Sequence, residues 1–177
     1  YYNVVAMLWC SLPVPLVVGL NGVAAGAGAS LALMGDITIA AKSANLTFVF
    51  APKLGLVPDM GGSYFLARRI GEARARAFAL TGQPIAAEEA ARIGLIAECV
   101  DDAQFESRVR EIVGALAAGP RDAFLGVRAL MASAVTASLP AQLEAEAAAQ
   151  ARLGDSPDFV EGVTAFREKR APKFGAR

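Results

Sequence analysis

Histidine is absent from the chain. Ser-His-Asp triads, Cys-His dyads and imidazole metal sites are therefore excluded, and acid–base work must fall to Asp, Glu, Lys, Tyr or backbone groups. Three places have residue types that could do such work. The first is Asp59, in the stretch Gly55-Leu56-Val57-Pro58-Asp59-Met60-Gly61-Gly62. A carboxylate just ahead of a helix either caps that helix or is free to move a proton, and both roles are open to Asp59. The second is Gly26-Ala27-Gly28, small residues that open a helix. They either bring the backbone close to a ligand or only let a helix pack closely on a strand. The third is the basic, aromatic ending Lys169, Arg170, Lys173 and Phe174. It suits a nucleotide's phosphates and base, or else a solvated helix end whose cations face the negative end of the helix dipole. Cys10 and Cys99 have no metal-like or redox-like spacing, and read as two buried free thiols in a reducing compartment.

These residues must be held by strands and helices, and the pattern supplies both. An apolar run at 16–20, ended by Asn21-Gly22, predicts a buried strand. Small residues predict a helix over 29–34, followed by strands at 36–41 and 46–50. The loop 55–59 leads into a helix expected at 60–69, with Arg68 and Arg69 on its surface or at a subunit contact. Further helices are expected from Gly71 to about position 80 and over 86–93, the second ended by Gly94. A strand is expected at 95–100. After Asp101 the chain reads as wholly helical, over 102–118, 121–134, 140–153 and from the Ser156-Pro157-Asp158 start signal to about 170. The predicted organisation is 1–100 as a strand–helix core and 101–177 as a helical subdomain. The chain opens at Tyr1, without an initiator Met and inside a stretch that reads as helical, so a preceding portion is expected.

Composition narrows the function. The 177 residues hold 17 Lys plus Arg against 17 Asp plus Glu, and this zero balance lacks the basic excess that a nucleic-acid binder needs. No charge occurs before Asp36. Pro13, Pro15, Gly19, Asn21, Gly22, Gly26 and Gly28 interrupt that run, so no span of about 20 apolar helical residues survives and no membrane role is expected. The hydrophobic fraction of 55%, rich in Ala, fits close helix packing and large interfaces.

Three stretches in fixed order carry a resemblance. They are Asn21 to Gly28 running on to Asp36, Gly55 to Gly62 running through Leu66, Arg69 and Ile70-Gly71, and Leu80-Thr81-Gly82 followed by Ala86, Ala90 and Gly94-Leu95-Ile96. With the ending Glu161-Gly162, Phe166 to Arg170, Pro172 and Phe174, the whole chain resembles the enoyl-CoA hydratase/isomerase (crotonase) superfamily. The resemblance implies an α/β spiral of ββα units with a C-terminal helical trimerisation region, the N-terminal strands lying outside this sequence. It also implies an acyl-CoA substrate and a homotrimer or hexamer in the cytoplasm.

Residue by residue, the resemblance places the Ala27 backbone N–H in an oxyanion hole for the thioester, between Gly26 and Gly28. Charge developing on an enolate oxygen is stabilised by such a fixed donor. Hydratases of the superfamily use two glutamates; here one position is Ser30, and the other falls in Phe48-Val49-Phe50-Ala51-Pro52, which has no acid. Asp59 stands where isomerase-type members, such as ring-epoxide phenylacetyl-CoA isomerases, carry an acid facing the acyl chain. The expected activity is cofactor-independent isomerisation with Asp59 as proton shuttle, coenzyme A being part of the substrate. Gly26, Gly28, Phe50, Gly61 and Tyr64 are expected to bind substrate, and Lys169 and Phe174 its nucleotide end. Leu46, Phe48, Leu56 and Phe65 line either an acyl pocket or the core. No metal, nicotinamide or flavin is expected, since the turn lacks the G-x-G-x-x-G-then-acid arrangement. Two alternatives remain: an enoyl-CoA hydratase using another acid, and a non-catalytic acyl-CoA-binding subunit.

Overall fold

The structure is a computed structural model that describes residues 1–175. The chain divides into two compact units. The first holds residues 1–12 and Leu16–Glu111; the second holds Pro13–Pro15 and the chain from Ile112 onward.

The first unit begins with helix α1 (Tyr2–Cys10), none of whose residues is buried. Strand β1 (Val17–Leu20), strand β2 (Val23–Ala25) and helix α2 (Ala27–Ala32) follow. Strands β3 (Ile37–Ala41) and β4 (Asn45–Thr47) repeat the pattern, then lead through a single π-helical turn (Phe50–Leu54) to helices α3 (Gly62–Ile70) and α4 (Glu72–Thr81). A two-residue strand β5 (Ile85–Ala86), helix α5 (Ala87–Arg92), strand β6 (Glu98–Val100) and helix α6 (Asp102–Ala117) complete the order.

The first four strands alternate between two sheets, which β6 and β5 then extend. β1, β3 and β6 form one parallel sheet, with Val17 beside Ile37 and Ile39 beside Glu98. β2 lies parallel to β4, and β4 antiparallel to β5, in the other. Strands β1 and β2 thus pair in parallel with β3 and β4, the repeat expected of a spiral. Parallel sheets bury both faces, and β3 is accordingly buried at every residue but its first. The core gathers Leu33, Ile39, Leu46, Phe48, Leu66, Ile85 and Leu95, none more than 1% exposed.

Several elements differ from the sequence reading. β2 and β5 were not expected; at three and two residues they are too short to show a period. Of the run at 46–50 only Leu46 and Thr47 join a sheet, in β4, since the chain coils into the π-turn at Phe50. α2 starts at Ala27, two residues early, and α3 starts at Gly62, two residues late. Neither Cys10 nor Cys99 is in a disulfide, and both are only half-buried. Among the described residues no helix is long and apolar enough to cross a membrane.

The second unit is helical, with the last turns of α6, then α7 (Arg121–Ala134), α8 (Leu139–Gly154) and α9 (Pro157–Glu168). The starts are set by local chemistry. Ser138 and Ser156 accept from the N–H groups of Ala141 and Phe159 at 3.4 and 3.2 Å, and Pro140 and Pro157 occupy the first turns. α9 ends at Lys169, whose φ of 53° turns the chain and lets the Arg170 N–H bond Ala165 O at 3.1 Å. Met131, Leu143, Phe159 and Phe166 stay more than half exposed around a groove of about 1340 Å³ within this unit.

Candidate active site

The glycine-rich turn comes first. Gly26 adopts φ 55°, ψ −124°, a conformation open in practice only to glycine. Its N–H bonds Thr47 O at 3.0 Å, tying the turn to β4, and its carbonyl accepts from Ser30 N at 3.1 Å to open α2. Ala27 is the first helical residue, half-buried, and Gly28 beside it is exposed. The first N–H groups of a helix have no intrahelical acceptor and carry the positive end of its dipole. Phe50, only 5% exposed, lies against the turn: a Cβ on Gly26 would sit 3.7 Å from its ring and from Val49. Leu46 and Phe48 have no exposure and belong to the core, whereas Leu56 is 58% exposed.

The acid comes from the loop that Gly55 opens in left-handed backbone. Asp59 does not cap the following helix. Met60 (φ 49°) and Gly61 (φ 77°) are both left-handed, Gly61 holds the cap position, and α3 begins at Gly62 with no side-chain cap. Instead the Asp59 carbonyl accepts from Gly62 N at 2.8 Å, while its Oδ1 is buried without a hydrogen-bond partner. Met60 beside it is buried, 4% exposed. Tyr64 is 52% exposed in the first turn of α3; its ring meets Phe65 edge-on at 5.1 Å and carries the Arg68 guanidinium at 4.0 Å.

Arg69 is half-buried rather than on the surface of its helix. It donates to Leu95 O at 2.9 Å and to Leu33 O and Gly35 O at 2.7 Å each. Burial lowers its pKa, and Asp36 partly offsets this. One guanidinium thereby fastens α3 to the end of α2 and to the approach to β6. The reading missed it because its acceptors are carbonyls supplied from distant parts of the chain.

The basic ending lies in the second unit. Arg170 pairs with Glu161 at 2.6 Å and with Glu168 at 2.6 Å. Glu161 also accepts the Lys173 N–H at 2.7 Å, and Asp158 accepts the Gly175 N–H at 2.9 Å. The Arg170 hydrogen bond, then the Lys173 N–H, hold the Glu161 carboxyl at about 2. Phe174 lies half-buried against Gly162, and Lys169 is exposed. Arg170 is thus spent on the tail's own fold, while Lys169 remains a surface cation. Among the described residues no group of three His, Cys, Asp or Glu side chains could hold a metal ion.

A spiral of ββα units thus carries a glycine-opened helix and, on the loop before α3, an aspartate with one buried, unpartnered oxygen. Residues 3–177 match the family model described as enoyl-CoA hydratase/isomerase, and the chain belongs to that family. It is 49% identical over 94% of its length to a "Probable enoyl-CoA hydratase" of Rhodobacter capsulatus, and 42% identical over 98% to the 1,2-epoxyphenylacetyl-CoA isomerase of Escherichia coli. It spans 65% and 66% of the lengths of these two relatives. Among solved structures, an enoyl-CoA hydratase from Bacillus anthracis superposes with a TM-score of 0.92 at 31% identity, over 99% of this chain and 68% of that one.

Proposed function

We propose that the protein is an isomerase of acyl-CoA thioesters, with Asp59 as the single proton-transfer base and the Ala27 N–H as a donor to the thioester oxygen. The observation that carries this reading is the Asp59 carboxylate, whose Oδ1 is buried, unpaired and released from capping duty. The base removes a proton next to the thioester, the electron pair moves onto the thioester oxygen, and the N–H at the start of α2 stabilises that charge. Returning the same proton to a different carbon moves the double bond, with no net change in composition and no cofactor consumed. Water addition asks for more, and at the two positions where a hydratase of the superfamily would carry glutamates this chain has Ser30 and the acid-free stretch around Ala51.

The substrate is an enoyl-CoA or a ring-epoxide acyl-CoA; the relative named 1,2-epoxyphenylacetyl-CoA isomerase supports the second. Phe50 and Tyr64 border the acyl group in this reading, and Lys169 and Phe174 meet its nucleotide end. The exposed apolar side chains of the second unit suit assembly as a homotrimer or a dimer of trimers. The relative named as a hydratase keeps a second reading open, in which another acid activates water.

The deciding experiment compares the full-length protein with its Asp59→Asn variant on a 3-enoyl-CoA and on the conjugated 2-enoyl isomer. The variant is expected to lose about 10²–10⁴-fold in double-bond migration, the usual contribution of a positioned base. Water addition that persists in the variant would establish the hydratase instead.

A further inference from the structure

Asp59 Oδ1 shares its situation with one other side-chain atom among the described residues: Ser30 Oγ is likewise buried without a hydrogen-bond partner. Ser30 lies in the middle of α2 and has no solvent exposure. Leaving a hydroxyl desolvated and unpaired is destabilising, and alanine at the same place would avoid it. The oxygen's return is spatial. Gly62, the first residue of α3, lies directly against it. A Cβ at position 62 would fall far inside contact distance of Ser30 Oγ, 3.4 Å from Ser30 Cβ and 3.3 Å from Pro58 Cβ. The same Gly62 donates its N–H to the Asp59 carbonyl at 2.8 Å. Contact therefore runs from Ser30 through Gly62 to Asp59. Met60, buried and held in left-handed backbone between Asp59 and Gly61, leaves the loop little slack to absorb a shift.

We propose that Ser30 is a positioning residue: its side-chain oxygen is the stop on which the first turn of α3 seats, and it thereby sets where the Asp59 carboxylate stands. This rests on Asp59 being the base. A residue too small at position 30 lets the start of α3 settle toward α2, and one too large lifts it. Gly62 does not have a positive φ, so alanine there is unstrained in its backbone, and the nearest atoms it meets belong to residues 30 and 58. The need for glycine at 62 is thus created by the oxygen at 30.

The test is a double-mutant cycle in the full-length protein, reading kcat, KM and melting temperature for Gly62→Ala, Ser30→Ala, the double variant, and Ser30→Cys. Gly62→Ala is expected to lower kcat about tenfold or more at a KM within about twofold of the wild type, since a displacement of order 1 Å at a reacting group costs up to about 100-fold. Adding Ser30→Ala should bring kcat back to that of Ser30→Ala alone. Two losses that simply multiply in the double variant would overturn the proposal, because independent sites add in free energy. If Gly62→Ala does not fold, Ser30→Ala and Ser30→Cys decide. Lowered kcat at constant KM in both upholds the proposal, and wild-type kcat in both ends it. Asp59→Asn is run alongside. Wild-type migration in that variant would remove the base and with it the positioning role, whereas the coupling of 30 to 62 would still be read in the melting temperatures.

Discussion

Met60 and Gly61 stand side by side in left-handed backbone ahead of α3, at unequal cost. A non-glycine residue pays about 1–2 kcal/mol for that conformation and glycine almost nothing. Met60 bears the cost once. Gly61→Ala would add a second, and its Cβ would lie 3.0 Å from the Phe65 ring. The variant is expected to lose about 2–3 kcal/mol of stability, read as a fall of several degrees in the melting temperature followed by circular dichroism. The same pair explains what the sequence could and could not tell about the site. Asp59 was legible as a candidate from its place in Pro58-Asp59-Met60-Gly61-Gly62. Its release from capping was not, because that depends on the φ of Met60, and a methionine gives no sign of a left-handed turn. Ser30 read only as a missing glutamate; its contact with Gly62 joins residues far apart in the chain.

Between elements, the firmest single tie to α3 is Arg69. Arg69→Met keeps most of the apolar stem but strips the carbonyls of Leu33, Gly35 and Leu95 of their charged donor. We expect a loss on the order of 3 kcal/mol in chemical denaturation. Arg69→Lys should recover only part of it, since one ammonium cannot reproduce the planar fork. At the end of α9 the tail is fastened by charge instead. The Glu161 carboxyl, held at about 2 against an ordinary 4.5, is depressed by folding. The tail contact is therefore fully present above about 4.5 and is lost as pH falls toward 2. The Lys173 amide resonance should titrate with a midpoint near 2 and lose that transition in Glu161→Gln. Elements with strong punctuation were read well from sequence: α7 falls at the expected residues because Gly119-Pro120 ends one helix and starts the next, and α9 begins at its Ser156 cap. β2 and β5 escaped because sheet partners, not their own residues, define strands so short.

For the whole molecule, the order of motifs specified the spiral and the family, since each ββα repeat carries its own glycine-marked turn. Assembly is a matter of exposed surface. Phe166 at 85% and Met131 at 69% exposure are large apolar side chains facing solvent in the second unit, and apolar exposure of this kind marks interaction sites. Sedimentation of the full-length protein is expected to give a trimer or a hexamer. Charged substitutions, Met131→Glu with Phe166→Glu, should shift it to monomer; unchanged association in that variant would place the interface elsewhere.

The sheet pairings carry one more consequence, for how the chain reaches its fold. Val17 must find Ile37 and Val23 must find Asn45, each about twenty residues away, and Ile39 must find Glu98 about sixty residues on. Nothing local rewards those searches until the loops between them have closed. The helices of the second unit, by contrast, are built from contacts a few residues apart. Topology of this kind separates the two in time: α7, α8 and α9 have their hydrogen bonds early, and the parallel sheets, with the α2 and α3 starts they carry, close late. When the whole chain refolds from denaturant, the geometry around Asp59 is then expected among the last features to form.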